Sequence, residues 1–308
     1  MRWIVGGCIA GAMCLTSSVH ATAYQADANN LKLFVGQVLG PMQYARNYKH
    51  PQELNRTAAW ITEQMRLFSI PCKYQNFNLN QKQYRNVVCH LNAGQNDQVV
   101  LGAHYDAPSD GMGVNHNASG VAGVMEAAHV LSRTKTTLKH NVEFVFYTLA
   151  TEPYLNTEHM GSLRHAKSLA HTQMPVKAVY ILDQIGFYQK EAVQEYPIGL
   201  KWLYPSHANF IAVVSNIASR DVAGQYCQSM QKLDQLSCER FSVPLLHVFD
   251  DADHLSYWRY DLPAILITDT GRYRNKNQFR PEVEIKRLDY VKMAAVVNGL
   301  VATLSQDK

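Results

Sequence analysis

The sequence predicts an α/β fold, a doubly wound and mostly parallel sheet with helices on both faces. Strand-like and helix-like segments alternate from about residue 98 onward, as in sheets of this kind. Polar residues lie at the carboxyl ends of three of the predicted strands, namely His104, the pair Thr151-Glu152, and Asp183. Open α/β sheets bind ligands beyond the carboxyl ends of their strands, so these residues mark a candidate site.

The part of the chain before residue 98 predicts one helix followed by a β-hairpin. Residues 52–69 place apolar side chains at helical spacing. Residues 73–79 and 84–91 are rich in strand-forming residues and are separated by a short polar turn. Two such runs joined by a short turn are typical of a hairpin.

Beyond residue 98, continuous apolar runs predict buried strands and amphipathic runs predict helices. The predicted strands are 98–104, 141–150, 176–183 and 263–269, and the predicted helices are 118–133, 161–170, 207–219 and 288–305. No linker rich in Gly, Pro or Ser divides these elements. We therefore expect residues 22–308 to form a single domain.

The bulk composition is that of a globular protein. Hydrophobic residues make up 47% of the 308 residues and charged residues 18%, so the chain is apolar enough to fold around a core. The net charge is +4, and the Lys and Arg residues are scattered along the chain. A weak and dispersed positive charge gives no reason to expect a nucleic-acid partner.

The first 21 residues have the features of a signal peptide. One Arg precedes an apolar run from Trp3 to about Leu15, and the segment ends in Val19-His20-Ala21, a small-x-small cleavage pattern. The run is too short and too rich in Gly for a good membrane span. We expect cleavage after Ala21, a secreted or periplasmic mature protein, and no stable membrane span after cleavage.

Four cysteines remain after the predicted signal peptide, and they predict two disulfides. They are Cys72, Cys89, Cys227 and Cys238. An even number in an exported protein indicates disulfides, and four cysteines allow three connectivities. We favour the local pairs Cys72–Cys89 and Cys227–Cys238, because short separations close easily in a hairpin or between a helix and a loop. A zinc site of all four is disfavoured, since the sequence has no Cys-x-x-Cys pair.

Several motifs in a fixed order carry a resemblance to a known family. They are GAHYD (102–106), GVNHNASGVAG (113–123), TEPYLNTEHMGS (151–162), LDQIGFY (182–188), DHLSYW (253–258) and PAILITDTGRYRN (263–275). The sequence resembles the co-catalytic zinc aminopeptidases, the family of secreted bacterial leucyl aminopeptidases, whose fold glutaminyl cyclases share. The resemblance covers residues 50–305, nearly the whole mature chain. It implies a site in which two zinc ions share a carboxylate and activate a water molecule.

Some family positions keep a residue that suits a metal site. The resemblance implies that His104, Glu152 and Asp183 are metal ligands. It also implies that Asp106 orients His104 from behind, as carboxylates next to ligating histidines do. His254 matches a residue that lines the pocket without binding metal.

Three family positions lack the chemistry they need, so the resemblance implies a degenerate site with no assignable catalytic residue. Asn115 stands where an aspartate bridges the two metals, and its amide offers one neutral oxygen. Thr151 stands at the general base, and its hydroxyl cannot accept a proton near neutral pH. Phe279 stands at a histidine ligand. We expect no zinc or one zinc, because two adjacent cations repel each other without a bridging anion.

The loop GVNHNASGVAG keeps its glycines and its Asn-Ala-Ser-Gly helix start. We expect this turn to form and to direct Asn115 into the pocket. The neighbouring His116 is interpreted first as a polar, partly exposed histidine at the start of a helix. Its second interpretation is a replacement metal ligand.

Two functions compete at this point. The favoured one is a non-catalytic descendant of the aminopeptidases that binds a peptide or a small amine in the old active-site cleft. The alternative is an active aminopeptidase or glutaminyl-cyclase-like enzyme with one zinc, bound by His104, Asp183 and either Glu152 or His116. A chaperone or adaptor that uses another surface is a third hypothesis, for which the sequence offers no specific support.

Overall fold

The computed structural model describes residues 25–40, 45–109, 111–196, 201–242, 251–275 and 285–306. Its strands are β1 (Cys72–Leu79), β2 (Lys82–Leu91), β3 (Gln98–His104), β4 (Asn141–Tyr147), β5 (Val176–Leu182), β6 (Gln189–Val193), β7 (His207–Ala208), β8 (Phe210–Ser215), β9 (Ser237–Ser242) and β10 (Ala264–Thr268). Its α-helices are α1 (Ala28–Leu39), α2 (Pro51–Leu67), α3 (Gly120–Arg133), α4 (Gly161–Leu169), α5 (Arg220–Leu233), α6 (His254–Trp258) and α7 (Tyr290–Leu304). A short helical turn, Val114–Ser119, leads into α3.

Eight of these strands form one mixed sheet in the order β1-β2-β4-β3-β5-β10-β8-β9. The pairs β4/β3, β3/β5, β5/β10 and β8/β9 are parallel, whereas β1/β2, β2/β4 and β10/β8 are antiparallel. Strands β6 and β7 pair in a separate ribbon. The sheet confirms the predicted α/β class and its mostly parallel character.

Helices cover both faces of the sheet, as predicted. One apolar layer contains residues of α1, α2, α3, α5 and α7, and the other contains residues of α4 and α6. Every residue of β3 and β4 is buried, so the centre of the sheet lies between the two layers. Burial of each large side chain there, such as Phe144, contributes about 1.5–3 kcal/mol relative to its exposure.

Most of the predicted elements are confirmed within a few residues, but the predicted helix at 207–219 is wrong. Residues 207–208 and 210–215 form β7 and β8 instead. All six residues of β8 are buried, and the strand lies between β10 and β9. A short apolar run cannot be assigned to helix or strand from its periodicity alone, which explains the error. The sequence analysis also missed α1, α5, β6 and β9.

Both predicted disulfides are confirmed. Cys72 and Cys89 lie directly opposite each other in the β1/β2 hairpin and are bonded. Cys227 of α5 is bonded to Cys238 of β9. Because these bonds use all four sulfur atoms, the alternative zinc site made of the four cysteines is excluded.

Two predicted features, the signal peptide at residues 1–21 and Phe279, lie outside the described residues. Within the part of the chain that the structure describes, no helix has both the length and the apolar composition that a membrane span requires.

Candidate metal centre

Three side chains from separate elements converge at the carboxyl edge of the parallel strands. His104 is the last residue of β3, Asp183 follows β5, and His116 lies in the turn before α3. One ligand atom from each lies within 4.8 Å of the others. We call these three residues the metal cluster, because they form the one group with this spacing among the described residues.

The distances in the metal cluster indicate ligands that share a centre. Nε2 of His104 lies 3.5 Å from Oδ1 of Asp183, and Nε2 of His116 lies 3.8 Å from the same oxygen. The two imidazole rings are nearly perpendicular, with centroids 5.0 Å apart. This Asp183 oxygen is buried and accepts no hydrogen bond of good geometry. A buried polar atom without a partner is unfavourable, and a cation would satisfy it.

This set of donors fits one zinc ion. Zinc prefers imidazole nitrogen and carboxylate oxygen, and three protein ligands leave the open position that catalytic zinc sites have. His104 turns Nδ1 toward Asp106, 3.3 Å from the carboxylate Oδ1 and 3.0 Å from the backbone oxygen, which leaves Nε2 for the metal. A carboxylate in this position orients the ligating ring.

Asp106 is in turn held by the segment that follows β4. Its carboxylate accepts hydrogen bonds from the backbone N–H groups of Ala150 and Thr151, at 3.1 and 3.2 Å. The hydroxyl of Thr151 also donates to it, at 2.9 Å. Thr151 therefore stabilises the residue that orients His104, although it also contributes to the pocket wall.

Burial and charge oppose each other in the metal cluster. Burial disfavours a charged His104, but Asp106 and Asp183 outweigh it and raise the pKa of His104 well above its usual value. Burial disfavours a charged Asp183 as well, but the two histidines outweigh it and lower the pKa of Asp183. Burial lowers the pKa of His116, which favours the neutral imidazole that a metal requires.

The turn before α3 has the residues that its path requires. Gly113 has φ = 60°, a backbone conformation that is strained for residues with a side chain. Asn117 ties the turn to the end of β5: its amide donates to the carbonyl of Leu182 at 2.9 Å, and its oxygen accepts from the N–H of Gln184 at 3.0 Å. These contacts place His116 beside the carboxyl end of β5.

The prediction that this turn directs Asn115 into the pocket is wrong. Asn115 is fully buried behind the turn, where its amide donates to Oδ2 of Asp269 at 2.9 Å and its oxygen accepts from the N–H of Gly186 at 3.1 Å. The neighbouring His116 lines the pocket instead. Successive residues of a tight turn point in different directions, and the motif alone did not show which one faces the pocket.

Asp269 is a buried carboxylate that the sequence analysis did not single out. Besides Asn115, it accepts hydrogen bonds from the N–H of Phe187 at 2.7 Å and of Gly271 at 2.9 Å. Burial raises its pKa. Its signal in the sequence is its position directly after β10, which makes it another polar residue at a strand end.

Glu152 lies on the wall of the pocket and is not part of the metal cluster. Its side chain is exposed, and the pocket, with a volume of 390 Å³, is also lined by His116 and Asp183. Asp251 and Arg272 line the same pocket, and Nη1 of Arg272 lies 3.6 Å from Oδ2 of Asp251. Carboxylates therefore outnumber guanidinium groups on this wall.

His254 packs behind the site and is not among the residues that line the pocket. It is 1% exposed, and its ring meets the ring of Trp258 edge-on at a centroid distance of 4.5 Å. Burial lowers the pKa of His254 to about 3 and raises that of the adjacent Asp253 to about 7. The structure thus keeps His254 close to the metal cluster without giving it a place at the pocket surface.

Comparison with known sequences gives a family and a near full-length relative. Residues 86–277 match the model of Peptidase family M28. The Uncharacterized protein YfbL of Escherichia coli (strain K12) is 34% identical over 284 residues, which cover 87% of this chain and 86% of that protein. A Probable leucine aminopeptidase 2 of Arthroderma benhamiae is 35% identical over 103 residues, which cover 33% of this chain and 19% of that protein.

Solved structures share the fold at low sequence identity. The LapA aminopeptidase of Legionella pneumophila has a TM-score of 0.70 at 18% identity, over 90% of this chain and 71% of that chain. A glutaminyl cyclase of Bacteroides thetaiotaomicron bound to N-acetylhistamine has a TM-score of 0.67 at 17% identity, over 93% of this chain and 100% of that chain. The family model covers more than half of the chain, and the resemblance inferred from the motifs is confirmed: the chain belongs to Peptidase family M28.

Proposed function

We propose that the protein is an exported metallopeptidase that binds one Zn²⁺ through His104, His116 and Asp183 and removes amino-terminal residues from short peptides. The observation that carries this proposal is the convergence of three ligand atoms beside a pocket. The sequence alone favours a non-catalytic protein, because Asn115, Thr151 and Phe279 stand at positions where the family's chemistry needs other residues. His116 supplies a third ligand, and the zinc dependence of the M28 family supports zinc as the metal.

The same residues argue for one metal ion and against two. A second zinc needs an anion between the two cations. Asn115, at the position that the resemblance assigns to the bridge, is neutral and donates to Asp269. His116 occupies the corresponding place at the pocket and carries no anionic oxygen. When bound, a single zinc would act as a Lewis acid toward a carbonyl or a water molecule.

Glu152 is the residue we propose as the general base. One glutamate cannot serve as metal ligand and base together, and His116 relieves Glu152 of the ligand role. The exposed Glu152 carboxylate lies on the pocket wall, where it can accept a proton from water and pass it to the leaving amine. Thr151, which contacts Asp106, remains a supporting residue.

The pocket supports a peptide with a free amino terminus as the substrate class. Its volume of 390 Å³ suits a small ligand, and its carboxylates are Glu152, Asp183 and Asp251. The partial match to a leucine aminopeptidase supports the same class. Cyclisation of an amino-terminal glutamine is the nearest alternative chemistry, since a glutaminyl cyclase shares the fold.

We also propose that the mature protein works outside the cytoplasm, as a secreted or periplasmic protein. Its two disulfides support this location, because such bonds persist in oxidising compartments. The signal-peptide pattern of residues 1–21 supports it independently.

A non-catalytic protein that binds a peptide or a small amine is the second candidate function. It is favoured by Thr151, which stands at the family position of the general base and whose hydroxyl donates a hydrogen bond to Asp106. In that case the pocket and the metal cluster would persist as a binding site, and no substrate would be turned over.

Metal analysis and hydrolysis assays on the purified mature protein separate the two functions. We expect about one zinc per chain, as in a mononuclear catalytic site, and chelator-sensitive hydrolysis of aminoacyl arylamides. Glu152→Gln is expected to keep the zinc and to lower turnover by about 10²–10⁴-fold. The matched control is Glu158→Gln, at an exposed glutamate that does not line the pocket, and its turnover should equal that of the wild type.

Each outcome of this experiment selects one function. One zinc per chain without turnover on arylamides or on glutaminyl peptides would establish the non-catalytic binding protein. Cyclisation without hydrolysis would establish the cyclase chemistry. A wild-type protein that retains no zinc would refute the proposed metal site.

A further inference from the structure

The buried Arg46 contacts both segments that carry the histidines of the metal cluster. It lies between α1 and α2 and is 1% exposed. Its Nε donates to the carbonyl of Tyr105 at 3.1 Å, directly after β3. Its Nη1 donates to the carbonyl of Met112 at 2.9 Å and its Nη2 to that of Gly113 at 3.1 Å, in the segment that leads to His116.

The backbone around Arg46 strengthens the same link. Its carbonyl accepts a hydrogen bond from the N–H of Ala107 at 2.6 Å, so main chain and side chain both hold the exit of β3. A Cβ atom built on Gly113 would lie 3.2 Å from Nη2 of Arg46 and would collide with the side chain of Ala107. The turn therefore packs directly on the guanidinium group.

Burial of a charged guanidinium is unfavourable, which indicates that the hydrogen-bonding geometry of Arg46 is needed at this position. Burial lowers the pKa of Arg46 to about 10, and the charge of Asp106 offsets part of this effect. Its three side-chain hydrogen bonds go to backbone carbonyls. An apolar side chain could fill the same space without desolvating a charge. The planar guanidinium differs in presenting donors in several fixed directions at once.

We propose that Arg46 is a positioning residue of the metal cluster, which fixes the distance between the exit of β3 and the turn before α3 and thereby preorganises His104 and His116 for one metal ion. The inference rests on the proposed zinc site. Asp183, the third ligand, follows a different strand, and none of the three hydrogen bonds from the Arg46 side chain reaches that strand.

Arg274 provides a matched comparison within the described residues. It is also buried, and its Nη1 donates to the carbonyls of Phe187 at 3.1 Å and Phe210 at 2.9 Å. Its Nε donates to Gln194 at 2.9 Å. These partners lie outside the two segments that carry the ligating histidines, so Arg274 is expected to stabilise the fold without positioning an imidazole.

The test measures zinc affinity and the Co²⁺ absorption spectrum of the mature protein in three variants. Arg46→Met should weaken zinc binding about 10–100-fold, the usual cost of losing a residue that orients a ligand, and should shift the Co²⁺ bands because one imidazole moves. Arg46→Lys preserves the charge, but one ammonium cannot bond both segments in the same geometry, so its zinc affinity should also fall. Arg274→Met should lower the melting temperature and leave zinc affinity and the Co²⁺ spectrum unchanged.

The remaining outcomes overturn the inference, and they distinguish it from the proposed function. Wild-type zinc affinity and a wild-type Co²⁺ spectrum in Arg46→Lys, or in a folded Arg46→Met, would overturn the positioning role and leave the zinc site intact. Equal losses in Arg46→Met and Arg274→Met would overturn it as well, because any buried arginine would then matter. A wild-type protein that binds no zinc would refute the zinc site, and the inference with it.

Discussion

Two groups, each with a carboxylate between two histidines, lie on the same sheet and differ in geometry. In the metal cluster, both imidazoles approach one oxygen of Asp183, at 3.5 and 3.8 Å. In the second group, which we call the ion-pair cluster, Nε2 of His165 lies 2.9 Å from one oxygen of Glu143 and Nδ1 of His90 lies 3.2 Å from the other. The first geometry suits ligands of a shared cation, and the second suits charges that neutralise each other.

The surroundings of the two clusters differ in one respect and agree in another. The second ring nitrogen of His165 is hydrogen-bonded at 2.8 Å to the hydroxyl of Tyr257, which is bonded in turn to the hydroxyl of Tyr147. Atoms without a hydrogen bond of good geometry occur in both clusters, at Oδ1 of Asp183 and Nδ1 of His116 in one and at Oε1 of Glu143 and Nε2 of His90 in the other. Residue type alone therefore does not identify a metal site. The convergence of donor atoms on one point does.

The largest effect is expected from a carboxylate added behind the metal cluster. Asn115→Asp places a second buried anion against Asp269, and we expect the free energy of unfolding to fall by about 3–5 kcal/mol, as for an unpaired buried charge. Urea denaturation measures this loss. The control is Asn209→Asp, whose side chain contacts Lys292, so the added charge should cause no such loss. A stable Asn115→Asp protein with two bound zinc ions would contradict our account of this position.

The second-largest effect is expected when Asp183, whose Oδ1 lies near both imidazoles, loses its negative charge. Asp183→Asn is expected to weaken zinc binding by more than the roughly 100-fold that losing an orienting residue costs, because it removes an anionic ligand itself. Titration of zinc in competition with a chromophoric chelator measures the change. Glu143→Gln makes the same chemical change in the ion-pair cluster and should keep wild-type zinc affinity. An unchanged affinity in Asp183→Asn would show that zinc binds elsewhere.

The ion-pair cluster should contribute to stability instead of metal binding. Glu143→Gln removes the carboxylate charge and one acceptor oxygen beside the buried His165 and the partly exposed His90, and we expect the free energy of unfolding to fall by about 1–3 kcal/mol. Urea denaturation of the metal-free protein measures this difference. A loss of zinc affinity that accompanies the loss of stability would mean that the two clusters are coupled.

The smallest effect concerns pH. Burial disfavours a charged Glu143, but His165 and His90 outweigh it and lower the pKa of Glu143 below its ordinary value of 4.5. A carboxyl whose pKa is lower in the folded than in the unfolded state stabilises the protein above the unfolded value, and this contribution is lost as pH falls. The stability gap between the wild type and Glu143→Gln should therefore shrink below about pH 4.5. A gap that stays constant or widens in that range would oppose this assignment, and Glu158→Gln, at an exposed glutamate, serves as the control.

The sequence predicts two kinds of feature: contacts between residues that are close in the chain, and side chains at the end of a buried strand. His104 and Asp183 follow buried apolar runs, and parallel strands bring such ends to one edge. The disulfides follow from short separations between cysteines. The helix predicted at 207–219 is wrong because β8 is a strand only through its pairing with β10 and β9, which come later in the chain.

His116 and Arg46 lie beyond the reach of such patterns. Whether Asn115 or His116 faces the pocket depends on the dihedral angles of a turn and on the contacts of Asn117 with the end of β5. The partners of Arg46 are backbone carbonyls between 59 and 67 residues away, and a carbonyl leaves no trace in the amino-acid sequence. Contacts of this kind become visible only in three dimensions.

Each disulfide belongs to a single local unit of the fold. The bonded cysteines are separated by 17 residues in the β1/β2 hairpin and by 11 between α5 and β9. Short rings close at a small cost in chain entropy, whereas the pairing of parallel strands from distant parts of the chain is slow. Each pair of cysteines can thus be oxidised within its own unit before distant parts of the chain have met. Correct pairing of the cysteines then does not depend on prior assembly of the central sheet.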